Sequence, residues 1–203
     1  MRLVLASASP RRAELLNAAG IEFDVVSAEV DELMDPEETP DGYVRRVALS
    51  KAEVVRAQTG DCPILAADTV VVVDNEVLGK PADADDARRM LTLLSGRQHA
   101  VITAVCLINP PGSTEAGHDV NGTGFGRVQV AVSRTTVEFA ELSQQEIDWY
   151  VASGEPMDKA GAYGIQGLAS RFVTRIMGSY SNVVGLPIAL VYELCKGAGI
   201  LIS

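Results

Sequence analysis

Short apolar runs alternate with helical patterns over the first part of the chain. Residues 2–6 form one apolar run, a helical pattern runs from Pro10 to Ala19 with Gly20 just beyond it, and a second apolar run covers 21–26. Proline at the first helical position and glycine just beyond the last one are typical helix boundaries. The alternation predicts an α/β fold built round a sheet.

The longest strand pattern lies at residues 63–73, which are apolar except for Asp68 and Thr69. A continuous apolar run of this kind is typical of a central strand covered on both faces. Two later strands are expected to pair with each other, so we predict a mixed sheet flanked by helices. The other predicted elements are helices over 41–58, 83–94, 143–152 and 187–196, strands over 99–108, 127–139 and 171–177, a hairpin turn at 74–76, an exposed connection over 109–126 and a polar turn over 178–187.

Length and composition indicate a domain with its own core. The chain has 203 residues, so we expect one domain over 1–203, either undivided or in two lobes. A chain of this size buries roughly 70% of its surface on folding, without help from disulfides or metals. Because 47% of the residues are apolar and only 5% are aromatic, the core must consist mainly of Val, Leu, Ile and Ala.

The charge balance narrows the function classes. Asp and Glu number 27 against 17 Lys and Arg, which gives a net charge of −10. A chain this acidic lacks the basic surface by which proteins bind nucleic acids or anionic membranes. A small anionic ligand requires a local concentration of positive charge or a recruited cation.

Cysteine and histidine usage excludes two kinds of site. The chain has three widely spaced cysteines, no C-x-x-C and two histidines, which fits neither a disulfide framework nor a zinc site. No secretory signal pattern and no apolar run of about 20 residues is present, so no membrane span is expected. These features predict a protein of the reducing cytoplasm.

The segment 7–12 places two hydroxyls and two guanidiniums at the predicted start of a helix. Ser7, Ser9, Arg11 and Arg12 surround a helix N-terminus, which offers unpaired N–H groups to an anion. Arginine forks also match phosphate oxygens, so this segment is a candidate phosphate site. The alternative, a helix capped by Ser9 with two solvated arginines, is left open by the spacing alone.

Asp68 is a carboxylate within an apolar strand. An unpaired buried carboxylate costs several kcal/mol, so Asp68 must contact a cation or hydrogen-bond donors, or lie at an open strand end. Ligands bind at the carboxyl ends of strands in α/β sheets. We therefore favour a general base or a metal ligand over a structural Asp that caps a loop.

The sequence around two lysines gives weaker evidence for a functional role. Lys80 lies in G-K-P at 79–81, which lacks the spacing of a Walker A loop. Lys51 lies on a predicted helix. By default, both are expected to be exposed surface lysines.

Two further segments have two interpretations each. Residues 22–41 contain nine acids and no Lys or Arg, so the part around Asp31 and Glu32 is either a solvated loop or a site for a hard cation. The glycine-rich segment 158–167 contains Gln166. Its amide could read a base edge, or it could satisfy backbone groups within the loop.

Together these segments resemble the Maf family of nucleoside triphosphate pyrophosphatases, and they follow the family's order along nearly the whole chain. The matching pieces are S-A-S-P-R-R at 7–12, V-D-E at 30–32, Lys51, A-D-T at 67–69, G-K-P at 79–81, S-G-R-Q-H at 95–99, D-K-A-G-A-Y-G-I-Q-G at 158–167 and N-V-V-G-L-P at 182–187. The chain departs from the family pattern in a longer 109–126 connection and in T-A-V at 103–105.

The resemblance implies a fold, an activity and partners. The fold is an α/β fold with a long central mixed sheet, related to the inosine-triphosphatase architecture, with a cleft at the strand ends. The activity is hydrolysis of a nucleoside triphosphate between the α and β phosphates, which yields the monophosphate and pyrophosphate. The resemblance also implies a divalent cation, Mg²⁺ or Mn²⁺, and a homodimer.

Roles for particular residues follow by position from the same resemblance. Thr69 and Gln166 resemble the branch of the family that acts on dTTP and UTP, and Arg11 belongs to the same specificity set. Modified pyrimidine nucleotides are further candidate substrates. The implied roles are catalytic base and metal ligand for Asp68, metal ligand for Glu32, and substrate binding for Ser7, Ser9, Arg11, Arg12, Lys51, Lys80, Thr69 and Gln166.

Two other function classes stay open at this point. One is a nucleotide-binding regulator of cell division without turnover, which the motifs allow. The other is a DNA- or partner-binding module, which the net charge of −10 disfavours for DNA.

Overall fold

The computed structural model describes residues 2–110 and 127–200. It confirms the α/β class. The strands are β1 (Leu3–Leu5), β2 (Phe23–Val25), β3 (Ile64–Val73), β4 (Glu76–Leu78), β5 (Gln98–Ile108), β6 (Val128–Phe139) and β7 (Val173–Met177). The helices are α1 (Pro10–Ala18), α2 (Pro40–Thr59), α3 (Ala84–Leu94), α4 (Gln144–Ala152), α5 (Tyr180–Val184) and α6 (Ile188–Gly197), with short 3₁₀ helices at Glu155–Asp158, Ala160–Ala162 and Leu168–Phe172.

The seven strands form one mixed sheet, as expected. Their order is β2-β1-β3-β5-β6-β7, and β4 pairs with β3. Strand β1 is parallel to both β2 and β3, whereas β4 is antiparallel to β3 and β7 is antiparallel to β6. Nearly every residue of β3 is buried, which agrees with its continuous apolar sequence.

Local sequence signals account for most of the element boundaries. Asp74 and Asn75 both have positive φ, at 48° and 66°, which is the geometry of a two-residue hairpin between β3 and β4. The side chain of Asp83 accepts from two backbone N–H groups at the start of α3, and Ser143 and Glu146 form a capping box at the start of α4. Gly60, with φ of 69°, ends α2.

The chain divides into two compact units. Unit 1 comprises Met1–Asp68, Ala104–Ser133 and Gly185–Ser203, and unit 2 comprises Thr69–Thr103 and Arg134–Val184. Strand β3 passes from unit 1 to unit 2 between Asp68 and Thr69, so the candidate base is the last residue of this strand in unit 1.

Unit 1 has an aliphatic core. Leu5 of β1 and Leu65 of β3 pack with Leu16 of α1 and Val191 of α6, and all four are buried. Burial raises the pKa of the Cys195 thiol to about 11, and Cys106 is also buried, as expected. Cys62 is only half-buried, although its apolar sequence surroundings favour a buried packing residue.

Unit 2 has a core in which aromatic rings are concentrated. The apolar stripe of α3 packs there with β5, β6 and α4. Phe139, Tyr163 and His99 meet edge to face, with ring centroids 4.7–5.3 Å apart. Phe172 extends the same cluster towards Tyr150. The few aromatic residues of the chain therefore stabilise one unit in particular.

The structure contains one short α-helix that the sequence pattern does not predict. Helix α5 lies within 178–187, where only a polar turn was expected. Most of the 109–126 connection, residues 111–126, lies outside the described residues. Among the helices described, none is long and apolar enough to span a membrane.

Candidate functional site

The first turn of α1 is organised by Ser7 rather than by Ser9. Ser9 occupies the N-cap position, but its side chain makes no capping hydrogen bond. Instead, the buried Ser7 hydroxyl accepts the backbone N–H of Ser9 at 3.2 Å. Ser9 therefore occupies the predicted N-cap position, but the prediction that its side chain caps this helix is wrong.

Arg12 is held in place by its own unit. Its Nε donates to the Gly185 carbonyl at 2.8 Å, and its Nη1 donates to the Ser7 hydroxyl at 3.2 Å. Burial lowers the pKa of the Arg12 guanidinium, while the nearby Asp68 carboxylate acts in the opposite direction. Because Arg12 binds Gly185 and Ser7, the alternative of a solvated arginine is wrong for Arg12, whereas Arg11 is half-buried.

The Lys51 ammonium forms ion pairs with two carboxylates, those of Asp68 and Glu32. Its ammonium lies 2.8 Å from Asp68 Oδ1 and 2.7 Å from Glu32 Oε1. Lys51 is only 9% exposed and Asp68 only 7%, so the expectation of an exposed lysine on α2 is wrong. The apolar stripe of α2 turns Lys51 inwards, and there it provides the cation that a buried Asp68 requires.

Burial raises the pKa of Asp68 above its ordinary value. Lys51, and to a smaller extent Arg12, oppose this shift because they stabilise the charged carboxylate. A carboxylate with a raised pKa is a stronger base than an exposed one. The environment of Asp68 therefore suits proton abstraction.

The loop that carries Glu32 is attached to α2. The Tyr43 hydroxyl donates to the Glu32 carbonyl at 2.8 Å, and Arg46 donates to the Leu33 carbonyl at 2.9 Å. Arg46 also binds both carboxylate oxygens of Glu38. Sequence analysis missed Tyr43 and Arg46, because on the helix they look like an apolar-face tyrosine and an ordinary surface arginine.

Unit 2 contains the remaining predicted site residues. The Thr69 hydroxyl lies 2.9 Å from that of Thr103. Lys80 and Gln166 are both exposed. The backbone N–H of Gly161 donates to the Gly79 carbonyl at 3.0 Å, so the G-K-P turn and the glycine-rich segment 158–167 lie side by side.

Asn182 has a structural role within unit 2. It is fully buried, and its side-chain amide donates to the Val101 carbonyl and the Thr135 hydroxyl, both at 3.0 Å. It begins the N-V-V-G-L-P motif, whose Gly185 supplies the carbonyl that binds Arg12 within unit 1. This motif therefore contributes a buried side-chain amide to unit 2 and a backbone carbonyl to unit 1.

Comparison with known proteins identifies the family. A family model described as Maf-like protein matches residues 2–198. The chain belongs to the Maf family. A relative from Anaeromyxobacter dehalogenans, named dTTP/UTP pyrophosphatase, is 52% identical over 198 residues, which cover 98% of this chain and 94% of the relative. A second, from Koribacter versatilis and of the same name, is 48% identical over 99% of this chain and 96% of the relative.

Solved structures show a similar fold. The Ham1 protein of Staphylococcus aureus and a HAM1 protein from Coxiella burnetii each superpose with a TM-score of 0.53, over 97% of this chain and 99% of theirs. Their sequence identities to this Maf chain are 14% and 17%, so the likeness concerns the fold alone.

Glu32 and Asp68 are the two carboxylates of this Maf chain that could offer oxygens to a divalent cation, next to the Lys51 ammonium that both contact. Glu32 and Asp68 already converge on one ammonium, so their oxygens lie close to a single cation position. Within residues 2–110 and 127–200, no group of three or more His, Cys, Asp or Glu could hold a metal. Magnesium commonly uses one or two carboxylates together with phosphates and water, which matches this pair.

Proposed function

We propose that this Maf chain is an enzyme that hydrolyses dTTP, UTP and modified pyrimidine nucleoside triphosphates to the monophosphate and pyrophosphate. Relatives at about half identity over nearly the whole chain have the name dTTP/UTP pyrophosphatase, which supports the substrate class. The observation that carries the proposal is the buried Asp68, which shares Lys51 with Glu32 in unit 1.

Asp68 acts as the general base. Lys51 holds Oδ1 of the carboxylate, and the carboxylate accepts a proton from a water molecule as that water's oxygen forms a bond to the α-phosphorus. The bond between the α-phosphorus and the oxygen that bridges to the β-phosphorus breaks, and pyrophosphate leaves with the electron pair. The products are the nucleoside monophosphate and pyrophosphate.

Positive side chains compensate the charge of the triphosphate. A triphosphate has about four negative charges near neutral pH, and the chain itself has a net charge of −10. Arg12 is already fixed by Ser7 and Gly185, so it can bind phosphate without first losing side-chain freedom. The residues proposed to bind phosphate are Ser7, Ser9, Arg11, Arg12 and Lys51 of unit 1 and Lys80 of unit 2.

Thr69 and Gln166 of unit 2 are proposed to select the base. An amide offers one acceptor and one donor group, which match the N3–H donor and a carbonyl acceptor of thymine or uracil. Gln166 is exposed, so its amide is accessible to a ligand. Arg11 is proposed to contribute to the same selectivity.

A divalent cation, Mg²⁺ or Mn²⁺, would be held by Glu32 and Asp68. When bound, such a cation stabilises negative charge on phosphate oxygens. Glu32 and Asp68 would supply carboxylate oxygens to such a cation, and Lys51 balances the charge of the two carboxylates. We further propose a single functional domain over 1–203, a homodimer and a cytoplasmic location.

The alternative, a nucleotide-binding regulator without turnover, is not favoured by the names of the relatives. The test is pyrophosphate release from dTTP, UTP, dCTP, dATP, dGTP and modified pyrimidine triphosphates, each with and without Mg²⁺, Mn²⁺ or Co²⁺. We expect metal-dependent release that is highest for dTTP and UTP and falls by about two orders of magnitude or more in Asp68→Asn. Binding of dTTP without release of pyrophosphate would instead favour the regulator, and a salt-titrated gel shift would detect DNA binding.

A further inference from the structure

Gln166 lies on a tight turn that is anchored from within unit 2. The backbone N–H of Gly167 donates to the Gly164 carbonyl at 3.1 Å, which closes a four-residue turn with Ile165 and Gln166 at its centre. Ile165 is buried, whereas Gln166 is exposed. The turn therefore fixes one central residue in the core and presents the other to solvent.

One carboxylate, that of Glu155, holds both ends of this turn. Its Oε2 accepts the backbone N–H of Leu168 at 2.9 Å. Its Oε1 accepts the Tyr150 hydroxyl at 2.9 Å, and the same hydroxyl accepts the backbone N–H of Gly164 at 3.2 Å. The two hydrogen bonds to the carboxylate are charge-assisted and stronger than bonds between neutral groups.

The glycines on either side of Gln166 make this close approach possible. A Cβ atom on Gly167 would lie 2.4 Å from the Glu155 carboxylate oxygens, and one on Gly164 would lie 2.5 Å from Cε of Lys159. Lys159 in turn donates to the Glu155 carbonyl at 2.6 Å. The glycines of the segment 158–167 thus allow the half-buried Glu155 side chain to approach the backbone of the turn.

We propose that Glu155 is a positioning residue for base recognition: it fixes the turn so that the Gln166 amide is presented in one place. This inference rests on the proposed function, because it requires Gln166 to read the base. A group held in one place discriminates well, because an analogue with the wrong edge leaves it unpaired. The polar edges of thymine and cytosine differ at N3 and at position 4, so the preference for dTTP over dCTP reports on this contact.

The test compares kcat and KM for dTTP and dCTP in Glu155→Gln and in Tyr150→Phe. Glu155→Gln keeps the size of the side chain but loses its charge. Tyr150→Phe removes the hydroxyl that links Glu155 to Gly164, so both of its hydrogen bonds are lost, while the bond from the Leu168 N–H to Glu155 remains. We expect the ratio of kcat/KM for dTTP to that for dCTP to fall about five- to tenfold in Glu155→Gln and less in Tyr150→Phe. The loss should appear mainly in the KM for dTTP, since the Asp68 environment in unit 1 is unchanged.

Two controls separate positioning from general damage. Ser95→Ala removes another side-chain acceptor of a backbone N–H in unit 2, the 2.7 Å bond from Leu142, and should leave the ratio unchanged. In a Gln166→Ala background, Glu155→Gln should cause no further change in the ratio. Thermal melting checks that each variant folds. If Glu155→Gln does not fold, the ratio measured in Tyr150→Phe tests the positioning role.

The possible outcomes distinguish this inference from the proposed function. A ratio that falls equally in Ser95→Ala, or that falls further in the double variant, would overturn the positioning role. A ratio that changes in Gln166→Ala but not in Glu155→Gln or Tyr150→Phe would overturn it while base reading by Gln166 stands. Absence of pyrophosphate release from every triphosphate in the wild-type protein would overturn the proposed function itself.

Discussion

The Lys51 ammonium and the Asp68 carboxylate form an ion pair with 2.8 Å between Nζ and Oδ1, in which the side chains are only 11% and 9% exposed. A pair with so little access to water recovers its desolvation cost only if its geometry is good, so it is weak evidence for stability. Its effect on chemistry is clearer, because burial raises the pKa of Asp68 and Lys51 opposes that rise.

Replacement of Lys51 by methionine should therefore move the acid limb of the pH profile. Burial raises the pKa of Asp68 and Lys51 opposes that shift, so the pKa of Asp68 should rise further in Lys51→Met. A general base works only when deprotonated, and kcat should then begin to fall at a higher pH than in the wild type. The measurement is kcat at saturating dTTP from pH 4 to 9.

Lys196→Met, on the exposed side of α6, is the matched control and should keep the wild-type profile. An acid limb at the same pH in Lys51→Met and in the wild type would show that Asp68 does not control turnover.

Asp68→Asn should bind dTTP and turn it over slowly. An asparagine oxygen can still accept from Lys51, but the amide cannot take a proton from water, so kcat should fall by about two orders of magnitude or more. Pyrophosphate release measures turnover, and calorimetry with a non-hydrolysable dTTP analogue measures binding. Asp61→Asn, at an exposed position, should match the wild type in both. Full turnover in Asp68→Asn would remove this residue from the mechanism.

Gln166→Glu should reduce kcat/KM for dTTP and UTP. A carboxylate lacks the N–H donor of the amide and offers acceptors only, so one hydrogen bond to thymine or uracil is lost, with a cost of about tenfold. Gln145→Glu introduces the same charge at another exposed glutamine of unit 2 and serves as the control. If the preference among triphosphates is the same in both variants, Gln166 does not read the base.

The fold follows largely from local signals in the sequence. The alternation of apolar runs and helical stripes was sufficient for most strands and helices, with boundaries within a few residues. Helix α5 and the three 3₁₀ helices were missed because each has five residues or fewer, and an apolar period needs several turns before it is visible. Sheet order could not be read from the pattern, since it depends on long-range pairing.

The charged residues of the candidate site can be predicted from the sequence, but their ion-pair and hydrogen-bond partners cannot. Asp68 was noticed because a carboxylate in an apolar strand needs a cation. The identity of that cation was not predictable, because a lysine on a helix is usually solvated and only packing turned Lys51 inwards. Tyr43 and Glu155 escaped notice because each acts through hydrogen bonds to a distant backbone, which leave no periodic signature.

His99 lies in the aromatic core of unit 2 and should make stability fall in acid. It is 3% exposed, its Nε2 lies 2.8 Å from the Tyr163 hydroxyl, and burial lowers its pKa from 6.5 to about 4. Below pH 6.5 His99 is protonated in the unfolded chain, whereas in the folded protein it stays neutral until the pH falls to about 4.

The stability contributed by a neutral His99 is therefore fully present above pH 6.5 and is lost as the pH falls towards 4, by roughly 3 kcal/mol in total. His99→Gln keeps a hydrogen-bonding group for Tyr163 but cannot titrate, so its unfolding free energy should decline less over this range. Urea unfolding at pH 7, 6, 5 and 4.5 measures the difference. Tyr163→Phe retains the histidine, so its stability should fall with pH as in the wild type. If His99→Gln follows the wild-type curve, other groups cause the acid sensitivity and His99 does not.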